Sequence, residues 1–224
     1  PRPPDHRIHG APLMWGAVRL YGEPAVRRML PLGFGAGLPL LLVYGTLSFR
    51  LREAGVDRAT IGFARWVALA YAFKWTWAPL VDRMPIPWLT RALGRRRAWL
   101  LCAQCAVVIG LCGLALADPA HELGRTIGFA LLTALASATQ DIALDAYRIE
   151  SAPGERQAAL AAAYQTGYRI AMIWAGAGAL WIAARSAGDP AAYQARGWTV
   201  AYLAMAASMS AGAITFTAPA DASN

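Results

Sequence analysis

Six stretches of about 20 mostly apolar residues run through the chain, at 29–49, 60–81, 98–117, 127–149, 157–184 and 198–217. As helices, at 1.5 Å rise per residue, such stretches match the hydrocarbon thickness of a bilayer. Lipid offers the backbone no hydrogen bonds, so runs of this kind close their own as helices. The expectation is an all-α polytopic membrane protein with six transmembrane helices. The bundle would occupy 29–217, after a cytoplasmic arm at 1–28 and before a short tail at 218–224. The arm starts at Pro1 and is rich in proline, arginine and histidine as far as Gly10. It has no apolar core of a signal peptide and reads as disordered at its start.

The charges fit this picture. Only 15% of residues are charged, fewer than a soluble domain carries. A net charge of +8 would suit nucleic acid if the arginines formed a stripe. They sit instead in short clusters between the apolar runs, as loop arginines of membrane proteins do. Membrane lipid is therefore the expected surrounding, and no nucleic-acid partner is expected. One side of the membrane would carry Arg19, Arg27, Arg28, Arg83, Arg91, Arg95, Arg96, Arg97, Arg148 and Arg156. The other would carry Arg50, Arg52, Arg58, Arg125, Arg185 and Arg196. The richer side is expected in the cytoplasm, and an even number of spans brings both termini there. Trp88 and Trp198, near span ends, read as interface anchors.

The three cysteines, Cys102, Cys105 and Cys112, all lie in the third run. Their surroundings are apolar and no second Cys-x-x-Cys pair exists, so they read as packing or lipid-facing residues. No disulfide framework, metal or cofactor is expected.

Ionisable groups are expensive in hydrocarbon and tend to face protein or water. Within the runs they are Arg65, Lys74, Asp141, Asp145 and Arg169. Lys74, the only lysine, and Asp141 both lie about 10 Å from the cytoplasmic ends of their spans. They could pair across a cavity as a substrate or proton site, or as a structural ion pair that fixes helix register. Asp141, Asp145 and Arg148 share one helix face. Asp145 and Arg148 sit near the span end and read as a structural or gating bridge, whereas Gln140 and Asp141 are deeper. On the fifth run Tyr164 pairs in spacing with Tyr168, and Gln165 with Arg169. These groups suit a polar ligand such as a sugar, or ordinary interhelical hydrogen bonds. Gly33 and Gly37 form a small-xxx-small pair for close helix packing, and Pro39 is a kink site.

Several segments carry a resemblance. Ala78-Pro79-Leu80-Val81-Asp82-Arg83 followed by Gly94-Arg95-Arg96-Arg97 resembles the loop signature Gly-x-x-x-Asp-Arg-x-Gly-Arg-Arg of the major facilitator superfamily. It departs in having Ala78 for the first glycine and residues 84–93 inserted. Leu32 to Pro39, Leu51 to Val56 with Thr60-Ile61-Gly62, and Lys74 to Arg83 resemble AmpG-type muropeptide permeases. So do Ser137-Ala138-Thr139-Gln140-Asp141-Ile142-Ala143-Leu144-Asp145-Ala146-Tyr147-Arg148, Gly167 to Met172, and Gly197-Trp198-x-x-Ala201-Tyr202.

The resemblance implies proton-coupled uptake of anhydro-muropeptides across a bacterial inner membrane, for cell-wall recycling, and no enzyme activity. Lys74 and Arg169 would then take the carboxylates of the sugar-peptide, and Gln140 its polar groups. Tyr164 and Tyr168 would line the same site, and Asp141 would carry the proton. Asp82, Arg83, Asp145 and Arg148 would form the cytoplasmic gate. Such carriers have two six-helix halves, so the chain is expected to be a fragment, or to pair with a second copy. Rival readings are a carrier of an acyl-CoA or a siderophore, a receptor or assembly subunit, and a membrane enzyme using Asp141 and Asp145. The last would need more acids at metal-binding spacing than the sequence offers.

Overall fold

The computed structural model describes residues 22–151, 154–188 and 193–217, and every regular element among them is helical. The first apolar run becomes α1, Pro24–Glu53. The third becomes α6, Arg95–Leu116, and the fourth α7, Leu123–Glu150. These three helices are long and apolar enough to cross a membrane. The fifth run is helical throughout 157–186, as α8 (Gln157–Ile173), a π turn (Trp174–Gly178) and α9 (Ala179–Ser186). The sixth is α10, Ala195–Thr217. The helix begins at Pro24, so residues 24–28 of the expected arm belong to α1. Residues 1–21 of the arm and the tail at 218–224 lie outside the described residues.

The second run departs from the expected single helix. It is divided into α2 (Arg58–Ala64), a 3-10 turn (Arg65–Ala68), α3 (Leu69–Ala72), a second 3-10 turn (Lys74–Thr76) and α4 (Ala78–Arg83). A further short helix, α5, covers Leu89–Leu93. The breaks fall at Phe73 (φ −95°, ψ 5°) and Trp77 (φ −109°, ψ 0°). Pro79 explains the second. Its ring would collide with the carbonyl one helical turn earlier, and it biases the preceding residues away from the helix. At the start of the chain segment, Asp57 caps α2: its carboxylate accepts from the Thr60 hydroxyl and backbone N–H. Those bonds hold the Asp57 carboxyl below the usual carboxylate pKa.

Packing begins with glycine. α1 makes its most extensive contact with α8. A methyl group on Gly33 or Gly37 would run into the carbonyl oxygens of Tyr164 and Tyr168, and one on Gly167 into that of Leu30. The small-xxx-small reading of Gly33 and Gly37 is borne out, with α8 as the partner. Without a hydrophobic drive between helices in lipid, such backbone approach supplies much of the attraction. Gly167→Val should therefore lower stability by about 3 kcal/mol through overpacking. Gly128→Val, where no atom lies within 4 Å of the added carbon, is the control. Thermal melting in detergent reads both, and equal melting of the two variants would contradict the close approach.

α1 also carries a π turn, Leu42–Thr46, just beyond Pro39. It touches the π turn of the fifth run. Thr46 Oγ1 donates to Ala175 O at 2.7 Å, and the Tyr202 hydroxyl donates to Leu42 O at 3.3 Å. A π turn loosens the regular carbonyl ladder, and here neighbouring hydroxyls take up the exposed acceptors.

The core forms two apolar layers. One holds Leu42, Leu47, Leu111, Leu114, Ala134 and Met205. The other holds Met29, Leu32, Leu100, Ala143, Leu144 and Leu160. Along α7 the residues between Ala136 and Ala143 lie between the two layers.

Two sequence readings are corrected. Arg50, expected in a loop, is fully buried, because it folds onto the end of α6. Trp198, expected at the lipid interface, is 2% exposed and its Nε1 donates to Glu53 Oε2 at 2.7 Å. Trp88 is 86% exposed.

Candidate functional site

The layer between the two apolar clusters is polar. α7 places Ser137, Gln140 and Asp141 there, three and four residues apart and so on one face. Ser137 and Gln140 are fully buried. Ser137 is hydrogen-bonded to Tyr71 of the second run, whereas both amide atoms of Gln140 and Asp141 Oδ1 make no hydrogen bond. Each buried polar atom left unpaired costs about 1–3 kcal/mol. Three such side-chain atoms at one level of a membrane bundle mark a place where a polar partner belongs.

The neighbouring helices close around Asp141. Lys74, on the 3-10 turn of the second run, is half-buried and within electrostatic reach of Asp141. Among the described residues no ion pair joins them. Trp77 Nε1 donates to Thr139 Oγ1 at 3.2 Å, which ties the broken second run to α7 beside the site. From α8, Tyr164 and Tyr168 are also within reach of Asp141, their rings 6.2 Å apart. The glycine contacts of α1 set the α8 backbone at these two residues. Arg169 is exposed, next to Tyr168. The candidate set is thus assembled around Asp141, with Arg169 at its outer edge.

The C-terminal end of α7, starting one turn beyond Asp141, carries the charge cluster expected as a gate. Arg96 joins two acids: it donates to Asp82 and, at 3.1 Å, to Glu150. Arg148 pairs with Asp145 at 3.4 Å and lies 5.6 Å from the centre of the Tyr164 ring. Arg83 is exposed. The structure therefore joins Asp82 to Arg96 and Glu150, and Asp145 to Arg148, as two separate pairings.

Sequence reasoning passed over Arg96, Glu150, Tyr71 and Ser137 as site residues. For Arg96 the signal lies in the triplet Arg95-Arg96-Arg97, which counts in the sequence for its charge and as part of the loop signature, without a partner for any one arginine. For the two hydroxyls the signal was their position inside apolar runs. No group of three His, Cys, Asp or Glu side chains comes together as a metal-ligand set among the described residues. The cysteines are free, with Cys102 and Cys105 exposed.

Comparison with known proteins places this architecture. A family model described as acetyl-coenzyme A transporter 1 matches residues 28–123. The anhydromuropeptide permease of Escherichia coli K12 is 37% identical over 186 residues, which are 83% of this chain and 36% of that protein. A Rickettsia felis protein with the designation AmpG 4 is 38% identical over 74% of this chain and 40% of its own length. An uncharacterized protein of Haemophilus influenzae is 40% identical over 68% of this chain and 35% of its own. The chain spans little more than a third of the length of these curated relatives. By this likeness the chain belongs to the AmpG-type permease family.

Proposed function

We propose that the chain supplies six transmembrane helices of a major-facilitator-type carrier that takes up anhydro-muropeptides, with protons, for cell-wall recycling. The observation that carries this reading is the buried, unpaired polar face of α7 within a chain 37% identical to a permease named for that solute. Lys74 and Arg169 meet the carboxylates of the sugar-peptide, and Gln140 its amide or hydroxyl groups. Tyr164 and Tyr168 wall the site, and Asp141 takes and releases the proton. The second six-helix half comes from further sequence or from a second copy.

The Asp82 end is the cytoplasmic gate in this reading. Arg96 clasps Asp82 and Glu150 across three helical segments, and Arg148 with Asp145 sits beside it. Opening inward would require these charge pairs to part, while Arg83 stays at the surface. Both termini are then cytoplasmic, in a bacterial inner membrane.

A second reading is favoured by one observation, the match of residues 28–123 to an acetyl-coenzyme A transporter model. In that case the solute is an acyl-CoA, with Lys74 and Arg169 facing phosphate. Proteoliposomes of the full-length protein separate the two. Inside-alkaline vesicles should accumulate labelled anhydro-muropeptide, and uptake should collapse with an uncoupler. Accumulation of labelled acetyl-CoA and no muropeptide would replace the first reading with the second.

A further inference from the structure

Residues 84–93, inserted into the loop signature between α4 and α6, take no part in the polar layer or the charge pairs. From Arg83 to Arg97 the sequence has five arginines and no acid. Arg96 is taken by Asp82 and Glu150. Arg83, Arg91 and Arg95 are exposed, and among the described residues none of the three pairs with an acid. The segment is nevertheless held in place. Trp99 Nε1 donates to Met84 O at 2.9 Å, the Ile86 N–H donates to Thr90 Oγ1 at 2.8 Å, and α5 packs on α6. Its largest side chain still faces outward. Trp88 is 86% exposed, and its φ of 69° is the only positive one outside glycine among the described residues. Left-handed backbone is costly for a residue with a Cβ, and an indole in water forgoes the burial that its size offers. Both penalties point to a partner for the ring outside the chain. Met84, in the same segment, is exposed as well.

The depth of the segment narrows the choice of partner. Arg95 opens α6, a helix long and apolar enough to cross a membrane, so residues 84–95 lie where that helix enters the bilayer. At that level an indole sits between headgroups and acyl chains. A guanidinium there offers a planar fork that matches phosphate oxygens. A soluble acidic partner would satisfy the arginines but leave Trp88 and Met84 without an apolar phase. We propose that this inserted segment is a binding site for an anionic phospholipid, with Arg91 and Arg95 on the headgroup phosphate and Trp88 as the apolar anchor beneath it. A zwitterionic lipid carries an ammonium of its own, which the arginines repel, so the site selects net negative charge. The proposal rests on the membrane helices alone and not on which solute is carried.

Full-length protein, stripped of lipid in detergent, is titrated with phosphatidylglycerol, phosphatidylcholine, inorganic phosphate and an acidic peptide, and native mass spectrometry reads the first adduct. Phosphatidylglycerol should bind about tenfold more tightly than phosphatidylcholine. Arg91→Gln and Arg95→Gln should each weaken its binding by about fivefold, the worth of one arginine near an anionic surface. Trp88→Ser should weaken both lipids by a similar factor, because the ring meets the part that they share. Arg58→Gln, at an exposed arginine at the start of α2, should change nothing. All four side chains are exposed, so the variants keep the packing of the bundle, and thermal melting in the same detergent checks it. Equal affinity for the two lipids would overturn the site, as would a loss in Arg58→Gln as large as in Arg91→Gln. Phosphate binding with no lipid preference would make it a free-anion site, and binding of the acidic peptide in place of lipid would give the face to a protein partner. Either result overturns the proposal.

Discussion

Asp141→Asn should abolish uptake driven by a pH gradient, down to the level of empty vesicles, and spare exchange of solute across the membrane. The substitution keeps the size of the side chain and its capacity for hydrogen bonds, and removes only the ability to gain and lose a proton. Asp141 is singled out by its place. Its Oδ1 is buried and unpaired, and Lys74, Tyr71, Tyr164 and Tyr168 all lie within electrostatic reach of it. Asp145, one turn along α7, is more than half exposed and already paired with Arg148. Solute exchange needs the binding site and the moving parts but no net proton flux, so it isolates the coupling step. The measurement compares gradient-driven accumulation with counterflow in matched proteoliposomes. Full gradient-driven accumulation by the Asn variant would remove Asp141 from the proton path.

Arg50→Ala should be the most destabilising single substitution at the other end of the bundle. α6 ends at Leu116, where the last carbonyls of a helix lack partners and carry partial negative charge. Arg50 reaches them from α1, donating from Nη1 to Leu114 O and from Nη2 to Ala117 O at 2.7 Å. Its guanidinium lies 5.3 Å from the centre of the Tyr202 ring of α10. Beside it, the Tyr193 hydroxyl donates to Asp118 at 2.8 Å, and burial together with that bond pushes the Tyr193 phenol up to about 12. One side chain thus ties α1, α6 and α10. Removing it uncaps two carbonyls, opens a void and strips Tyr202 of its cation. The expected loss is about 3–5 kcal/mol, from two buried hydrogen bonds with a charged donor at about 1.5–3 kcal/mol each. Arg50→Lys should restore only part of it, because an ammonium lacks the planar fork. Unfolding in detergent reads both variants, and a loss below about 1 kcal/mol for Arg50→Ala would mean that water or neighbouring groups take over the capping.

The helical class and the three helices long and apolar enough to cross a membrane were legible because run length and hydropathy act locally. α1, α6 and α7 follow their apolar runs to within a few residues. The second run was not legible as it stands. Hydropathy does not register how Pro79 and the aromatic residues before it bend the backbone, so a broken segment read as one helix. Gly33 and Gly37 gave the close packing of α1, although only the structure names α8 as the partner. Asp141, Gln140 and Lys74 were legible as costly groups in lipid. Tyr71 and Ser137 were not, because a single hydroxyl is cheap enough in a membrane helix to draw no notice. Only the fold brings the two together. Arg50 failed in the opposite direction. A position at the end of an apolar run looks like a loop, and only the fold brings the end of α6 to it.

The touching π turns of α1 and the fifth run hold a mechanical consequence. A π turn carries one residue more than the same length of α-helix, so it acts as a dislocation in the helix. Deleting that residue from Leu42–Thr46 would close the wide turn into regular helix and return Leu42 O to the carbonyl ladder. Tyr202 would then lose the acceptor it reaches from α10. The two wide turns, joined through Thr46 and Ala175, therefore act as a single joint between α1 and the fifth run.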